Sequence, residues 1–259
     1  MAGQSSVGQV GALEVHWLGR VPYREAWQKQ HELVAARRRD EIPDQLLLLE
    51  HEPVLTLGRT SDEAHIRASA TQLKERGIEL IRVERGGEVT YHGPGQLVGY
   101  PIVRLADRGI LLRPLVRALE QAMIDTAAAL GVASGRVDKL PGCWCDPESA
   151  APRKLGALGL RVEGGVSYHG IALNVTTDLS GFDLIDPCGL PEVEVTSIAR
   201  EAGWPAEESR PSTASVANAA DRFAIAFAAR LDDASSPAVA AAAPAAPAAP
   251  AARAARAAR

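Results

Sequence analysis

Three segments of this chain combine residue types that can do chemistry together. The segment 85–101 carries five glycines and two prolines between apolar runs, with an arginine, a tyrosine and a histidine among them. Glycine lets the backbone approach a ligand closely and lets loop N–H groups converge on one point. A lone lysine, Lys154, and a cysteine in a turn, Cys188, follow later in the chain. Together they predict a shaped pocket with a thiol nucleophile beside an amine.

The thiol–amine pair is chemically useful only if the thiol ionises. A free cysteine has a pKa of about 8.5, and a nearby cation lowers that pKa. Lys154 could take the proton, while Gly189 leaves space for a substrate carbonyl near backbone N–H groups, as in an oxyanion site. Composition alone favours non-catalytic roles for both residues, with Cys188 inert and buried and Lys154 exposed to solvent.

Two histidines in glycine-rich surroundings, His92 and His169, permit a Cys–His hydrolase interpretation. A lone histidine beside glycine is more often a hydrogen-bonded structural group, and we favour that role here. The segments 86–93 and 164–170 resemble each other with one residue deleted. We therefore expect both histidines on the walls of one cavity.

Composition limits the function classes. The chain of 259 residues is long enough for one substantial α/β core, and its formal charge of −4 argues against a general nucleic-acid binder. No secretory signal or apolar run of about 20 residues is visible, so we expect no membrane association. The three cysteines make disulfide pairing unexpected. We predict a cytoplasmic protein.

Hydrophobic periodicity predicts the secondary structure that must position these residues. Helices are expected at 22–39, 69–76 and from Leu112 to Leu130, with a last one from Val216 to Leu231. The run 37–39 of arginines is expected on a solvated helix face. Strands are expected at 46–49, 54–57, 78–83, 155–162 and 171–175, the last two joined by a β-turn at 163–165.

Composition also predicts the domain organisation. Residues 1–9 are polar and glycine-rich, so we expect a flexible N-terminus there. Residues 10–233 should form one catalytic domain. Residues 234–259 contain only small residues, proline and arginine after the first positions, which predicts a disordered tail.

Four segments of the chain together resemble a known family. The glycine-rich segment, the Lys154 segment, the run Ser167–Asn174 and Pro187-Cys188-Gly189 resemble, in this order, the octanoyltransferases (lipoyl(octanoyl) transferases) of lipoate biosynthesis. The resemblance runs from about Leu46 to about Gly203. The combination of the four segments is far more specific than a glycine-rich loop alone.

The resemblance implies a fold and an activity. The implied fold is α/β (α+β), the biotin/lipoyl protein ligase-like catalytic domain, with a mixed sheet flanked by helices. The implied reaction moves an octanoyl group from octanoyl-acyl carrier protein, through a cysteine thioester, to the lysine of a lipoyl domain. The acceptors would be 2-oxoacid dehydrogenases and the glycine cleavage H protein. No cofactor is implied, and a monomer is expected.

The resemblance also implies the roles of individual residues. Cys188 would carry the acyl group, and Lys154 would favour its ionisation and act as base. The implied substrate-binding residues form three groups. They are Arg85, Gly86, Gly87, Glu88, Val89, Thr90, Tyr91 and His92; Ala157, Leu158 and Gly159; and Gly170, Ile171 and Ala172.

The chain departs from the family pattern in one place. Cys143 and Cys145 flank Trp144 where relatives usually carry two valines. Such a pair could bind a metal together with Cys188 and His169, but this would consume the nucleophile, so we expect no metal. The segment 146–153 is longer and richer in proline than expected.

Two other functions remain open at this point. An ATP-dependent lipoate or biotin protein ligase shares the implied fold, but such enzymes need no cysteine and their glycine loop usually ends in His-Asp. Here His92 is followed by Gly-Pro-Gly. A non-catalytic acyl carrier or a zinc-stabilised binding module would instead hold the acyl chain without transferring it, and would tolerate Cys188→Ser.

Overall fold

The computed structural model describes residues 6–187, 193–205, 212 and 214–235. Its main element is an eight-stranded sheet. The strands are β1 (Ser6–Val10), β2 (Leu13–Val21), β3 (Gln45–His51), β7 (Gln96–Ile102), β8 (Gly135–Val137), β9 (Leu140–Cys145), β10 (Arg153–Glu163) and β11 (Val166–Asn174). Their order is β1-β2-β3-β7-β11-β10-β9-β8, and only the β2–β3 pair is parallel. The sheet is therefore mixed.

A second, three-stranded sheet stands beside the first. It consists of β4 (Val54–Leu57), β5 (Glu79–Arg82) and β6 (Thr90–His92), in the order β5-β4-β6. The separate strands predicted at 46–49 and 54–57 are confirmed, since β3 ends at His51 and β4 begins at Val54. The two strands belong to different sheets, so this break is where the chain passes from one sheet to the other.

Helices cover both faces of the main sheet. They are α1 (Tyr23–Arg38), α2 (Ala70–Glu75), α3 (Leu112–Ala129), α4 (Ile198–Glu201) and α5 (Val216–Ala234). The apolar run of β3 explains the layering. Leu46 and Leu48 pack in the cluster that contains α3 and α5, whereas Leu47 and Leu49 pack with Ala26 of α1. Because strand side chains alternate, a continuous apolar run is buried on both faces.

The predicted elements agree well with the structure. The helices predicted at 22–39, at 69–76 and from Leu112 are α1, α2 and α3, and the predicted final helix is α5. The start of α2 is a capping box, in which Ser69 and Gln72 satisfy each other's backbone N–H groups. The predicted hairpin around 163–165 is confirmed as β10 and β11, although β11 begins at Val166 rather than Ile171.

Arg37 does not lie on a solvated face as expected for the 37–39 run. It is 7% exposed, and its guanidinium binds Asp44 at 2.8 Å and Asp40 at 2.9 Å and also pairs with Asp107. Three carboxylates satisfy the buried cation, and so Arg37 joins the end of α1 to the loops beside the main sheet. Arg38 and Arg39 are exposed as predicted.

The predicted flexible N-terminus, residues 1–9, and the predicted tail, residues 234–259, fall largely outside the described residues; residues 6–9 belong to β1, and 234 ends α5. Within the described ranges, no helix combines the length and hydrophobicity needed to cross a membrane.

Packing of α5 against the sheet should contribute strongly to stability. Phe227 is fully buried and stacks on Phe223 with ring centroids 5.9 Å apart. We expect Phe227→Ala to lower the free energy of unfolding by about 3–5 kcal/mol, because it removes buried apolar surface and leaves a cavity. Urea denaturation measures the loss. Ile225→Ala on the same helix is the control, since Ile225 is 63% exposed, and an equal loss in both variants would contradict the described packing.

Candidate active site

A cavity of about 500 Å³ lies where the glycine-rich segment crosses the β10–β11 hairpin. Lys154 lines this cavity, and so do both histidines of the repeated segments, His92 and His169. Their placement on one cavity is confirmed. The predicted substrate-binding residues that line it are Arg85, Gly86, Gly87, Glu88, Val89, Thr90, His92, Ala157, Leu158, Gly159, Gly170, Ile171 and Ala172.

Tyr91 is the one predicted substrate-binding residue that does not line the cavity. Its ring packs edge-on against Phe182, with centroids 5.5 Å apart, and lies against Gly181. Thr90 and His92 belong to the same strand and face the cavity. Alternation along a strand sends the side chain between them to the opposite face.

Close approach of backbone explains two of the glycines. A Cβ atom on Gly159 would lie 2.7 Å from the carbonyl oxygen of Gly86, and one on Gly58 would lie 2.1 Å from that of Gly87. The N–H of Gly86 also donates to the carbonyl of Leu160 at 3.0 Å. The glycine-rich loop is therefore held flat against the edge of β10, and it forms the cover of the cavity.

Arg85 fixes the start of this loop. It is 8% exposed, and its Nη2 donates to the carbonyl and the hydroxyl of Thr56 at 2.7 and 2.8 Å. Its Nη1 donates to the carbonyl of Gly86 at 3.1 Å. The guanidinium thus joins β4 to the loop while it also lines the cavity.

His92 is neutral, and its hydrogen bonds define which nitrogen carries the proton. Gln96 Nε2 donates to the carbonyl of Tyr91 and to Asn174 Oδ1, so Gln96 Oε1 must accept from His92 Nδ1, 2.7 Å away. His92 Nε2 then accepts from the Thr56 hydroxyl at 3.3 Å. Burial lowers the pKa of His92 well below its usual value. This geometry agrees with the structural role favoured from sequence.

Lys154 is buried, and its backbone is fixed on both sides. It is 7% exposed, and its Nζ lies 4.8 Å from the centre of the Trp144 ring. Its N–H donates to the carbonyl of Glu194 at 2.7 Å, and its carbonyl accepts from the N–H of Thr196 at 2.9 Å. The β10–β9 register shifts between Lys154 and Gly156, which marks a bulge beside the lysine.

Cys188, the predicted nucleophile, lies outside the described residues. The chain on either side of it is described. Pro187 and Val195 both line a small cavity of about 20 Å³ together with Lys154. The residues that precede and follow the segment 188–192 therefore reach the same lysine.

Cys143 and Cys145 are buried in the core, not in the cavity. Both belong to the hydrophobic cluster formed with α3 and α5, while Trp144 between them lines the cavity. Burial raises the pKa of Cys143 to about 11 and that of Cys145 to about 12. His169 contacts Tyr100 and Tyr168 instead, and the described residues contain no group of three or more potential metal ligands.

Sequence reasoning missed one end of the cavity. Tyr23 and Tyr100 line it beside His169, and Tyr100 donates to His51 Nε2 at 2.8 Å. Tyr23 fits the spacing of the apolar face of α1, and helical spacing cannot separate a core residue from a cavity wall. The signal that could have found it is its position as the first residue of the helix, directly after a strand.

Comparison with known proteins identifies the family. Residues 22–228 match the lipoyl protein ligase A/B catalytic domain family. The octanoyltransferase of Chloroflexus aurantiacus is 47% identical over 192 residues, which cover 74% of this chain and 85% of the relative. The octanoyltransferase of Acidobacterium capsulatum is 48% identical, covering 71% and 78% of the two chains. The chain belongs to the octanoyltransferase family.

Solved structures support the fold of this octanoyltransferase family member. Lipoate-protein ligase A bound with ATP superposes with a TM-score of 0.57 at 19% identity, covering 83% of this chain and 84% of the ligase. The bi-partite lipoate protein ligase of Thermoplasma acidophilum gives 0.56 at 17% identity, with 83% and 82% covered. These likenesses show the α+β ligase-like fold, and membership of the octanoyltransferases makes the chain an acyltransferase.

The buried histidines should make stability depend on pH. Burial lowers the pKa of His51 to about 4 and holds that of His92 well below its usual value of 6.5. The unfolded chain therefore binds more protons than the folded chain below pH 6.5, and stability falls as the pH drops toward 4. Each histidine should cost about 1.4 kcal/mol per pH unit in that window.

Urea denaturation at pH 7.5, 6.0 and 5.0 measures this slope. His51→Gln should be less stable at pH 7.5 but lose less on acidification than the wild type. His65→Gln is the control, because His65 is partly exposed. If wild type and His51→Gln lose stability in parallel, His51 is not the source of the pH dependence.

Proposed function

We propose that this enzyme transfers an octanoyl group from octanoyl-acyl carrier protein, through a thioester on Cys188, to the lysine of a lipoyl domain. The observation that carries the proposal is the buried Lys154, which lines the main cavity and shares a second, small cavity with Pro187 and Val195, on either side of the segment 188–192. The octanoyltransferase names of relatives about 47% identical support the acyl group that is moved.

The site favours an ionised thiol. A thiolate on Cys188 and an ammonium on Lys154 would stabilise each other, and more strongly in a buried site than in water. The indole of Trp144 beside Nζ adds a cation–π contact that suits the charged lysine. The pair therefore supplies both a nucleophile and its proton acceptor.

Two acyl transfers then follow without a nucleotide. In the first, the thiolate attacks the thioester carbonyl, a new C–S bond forms, and the carrier's thiol leaves with the proton from Lys154. In the second, the neutral amine of the acceptor lysine attacks the Cys188 thioester, and an amide forms as the acyl C–S bond breaks. Cys188 leaves as a thiolate and Lys154 takes the amine proton, which restores the ion pair. Exchange of one thioester for another is nearly neutral, whereas amide formation is strongly downhill.

The cavity suits a medium-length acyl chain. At about 0.8 kcal/mol for each buried methylene, an octanoyl chain would contribute roughly 5 kcal/mol to binding. The apolar side chains available to it include Val89, Leu158 and Trp144. Small side chains at Ala157, Gly159, Gly170 and Ala172 leave the chain room against the hairpin.

The substrate requirement distinguishes this function from an ATP-dependent ligase. We expect the enzyme to octanoylate a lipoyl domain from octanoyl-acyl carrier protein without ATP, and to leave it unmodified when given free octanoate with ATP. Mass spectrometry of the lipoyl domain measures both. Product that depends on ATP and free acid would refute the transferase mechanism.

The acyl-enzyme is directly observable. After brief incubation with octanoyl-acyl carrier protein alone, intact-mass analysis should show one octanoyl adduct, and peptide mapping should place it on Cys188. Cys188→Ser should lack a thioester adduct and turn over at least about 10²-fold more slowly, because a serine hydroxyl does not ionise near neutral pH and is a far weaker nucleophile than a thiolate. An adduct on another residue, or full activity in Cys188→Ser, would exclude the mechanism.

Lys154 and His92 should differ sharply on substitution. Lys154→Ala should lower kcat by about 10³-fold, since it removes the general base, whereas His92→Gln should lower it only about tenfold by disturbing the loop. Lys74→Ala on α2 is the control, because Lys74 is exposed and remote in the fold from the cavity wall. The reverse ranking, with His92 more critical than Lys154, would make the histidine the base.

A further inference from the structure

The hairpin wall of the cavity changes along its length from small residues to large polar residues. On the face of the hairpin that lines it, small residues stand opposite each other as Ala157–Ala172 and Gly159–Gly170. The next pair on this face is large and polar, Arg161–Tyr168. The smooth part of the wall therefore ends near Gly159 and Gly170.

Polar side chains gather at that end. Gly99 pairs with Ile171, which sets Tyr100 of the neighbouring strand beside Gly170. Tyr23 lies close to it, because both rings pack against His51, with centroids 4.9 and 6.0 Å from the imidazole. Both rings line the cavity.

Tyr100 is hydrogen-bonded to His51, which is hydrogen-bonded to Val21. The direction of both bonds follows from the last acceptor. His51 Nδ1 lies 2.8 Å from the carbonyl of Val21, which can only accept, so Nδ1 carries the proton. His51 Nε2 then accepts from Tyr100 at 2.8 Å. The hydroxyl of Tyr100 has therefore donated its only proton, and its oxygen can only accept a further hydrogen bond.

His169 adds polar atoms to this end. It is 1% exposed and lines the cavity, yet neither ring nitrogen makes a hydrogen bond to another described residue. Its Nε2 lies 3.4 Å from Glu84 Oε2, an ion-pair separation without hydrogen-bond geometry. Buried polar atoms of this kind take hydrogen bonds from water or from a polar ligand, and a methylene chain offers none.

The distance to this polar end fits a chain of limited length. Lys154 and Gly159 are five residues apart on β10, which corresponds to about 17 Å of strand. The thioester and the contact radii of the terminal atoms take up part of that length. The remainder accommodates a medium chain along the small-residue wall before it meets the hydroxyl groups.

We infer that the hydroxyl groups of Tyr23 and Tyr100, with His169, form a polar floor that sets the upper limit of acyl chain length. The inference rests on the proposed function. An acyl chain that ends at the floor fills only apolar space. Two further methylenes would displace water from the oxygen and nitrogen atoms of the floor, and they cannot replace the hydrogen bonds that the water makes. Selectivity against longer chains therefore comes from unpaired polar atoms rather than from steric closure alone.

Tyr23→Phe tests the floor with least disturbance. The substitution removes one hydroxyl group from a residue that lines the cavity, and the ring volume is kept. The measured quantity is the ratio of kcat/KM for decanoyl and octanoyl thioesters of the carrier protein. We expect the ratio to rise about fivefold to tenfold over the wild type, because one fewer polar group is desolvated by the longer chain.

Tyr168→Phe is the matched control, since its hydroxyl points to Glu163 and its ring does not line the cavity. Its decanoyl-to-octanoyl ratio should stay within about twofold of wild type, because the hydroxyl that is removed does not belong to the cavity lining. Equal ratios in Tyr23→Phe and Tyr168→Phe would overturn the inference. If Tyr23→Phe does not fold, Tyr100→Phe reports on the same pair of hydroxyl groups.

Equilibrium binding separates this inference from the proposed function. Calorimetric affinities for octanoate and decanoate require no turnover. The wild type should bind decanoate no better than octanoate, and Tyr23→Phe should bind decanoate several-fold better than the wild type does. If thioesters are not used at all but these affinities hold, the transferase proposal fails and the floor stands. If transfer proceeds and decanoate affinity is the same in both proteins, the floor fails.

Discussion

The arrangement of the site depends on how the backbone of Lys154 is held. Its N–H and its carbonyl both bond to the segment 194–196, which runs beside the start of β10. A bulge follows directly, so the lysine and the residues after it on β10 contribute to the same cavity. A long flexible side chain gains little precision from its own rotamers, so fixing its backbone and burying its stem are what give Nζ a defined place.

The same segment joins two parts of the site that are far apart in sequence. Asn174 donates to the carbonyl of Thr196 at 3.0 Å and accepts from Gln96 at 2.9 Å. Gln96 in turn accepts from His92, which accepts from Thr56, the partner of Arg85. These hydrogen bonds therefore form one series, in which each donor points the same way, from Arg85 in the glycine-rich loop to Thr196, whose N–H binds the carbonyl of Lys154. Neutral His92 is essential to it, because a proton on Nε2 would remove the acceptor for Thr56.

Local sequence patterns predicted most of the fold, because each helix and strand carries its own periodicity. The predicted turn at 163–165 marks a boundary that the structure confirms. Separate sheets for β3 and β4 were not predictable, since both strands read as continuous apolar runs. The burial of Arg37 was likewise invisible, because its partner Asp107 is 70 residues away.

The cavity itself was only partly predictable from sequence. The glycine-rich loop and the hairpin were identified by their residues, whereas the tyrosines at its polar end carry no motif. Tyr23 and Tyr100 meet His51 and His169 only because α1, β3, β7 and β11 are neighbours in space. Alternation along a strand shows that Tyr91 points away from its neighbours Thr90 and His92. It does not show which of the two faces borders the cavity.

The central claim is that Lys154 stabilises the ionised thiol of Cys188. The most direct measurement is the rate of Cys188 alkylation by iodoacetamide between pH 5 and 10, followed by peptide mapping, in the wild type and in Lys154→Met. The account predicts a wild-type midpoint well below the value of about 8.5 for an ordinary cysteine and a shift to about 8.5 or higher in the variant. Superimposable profiles for the two proteins would contradict it.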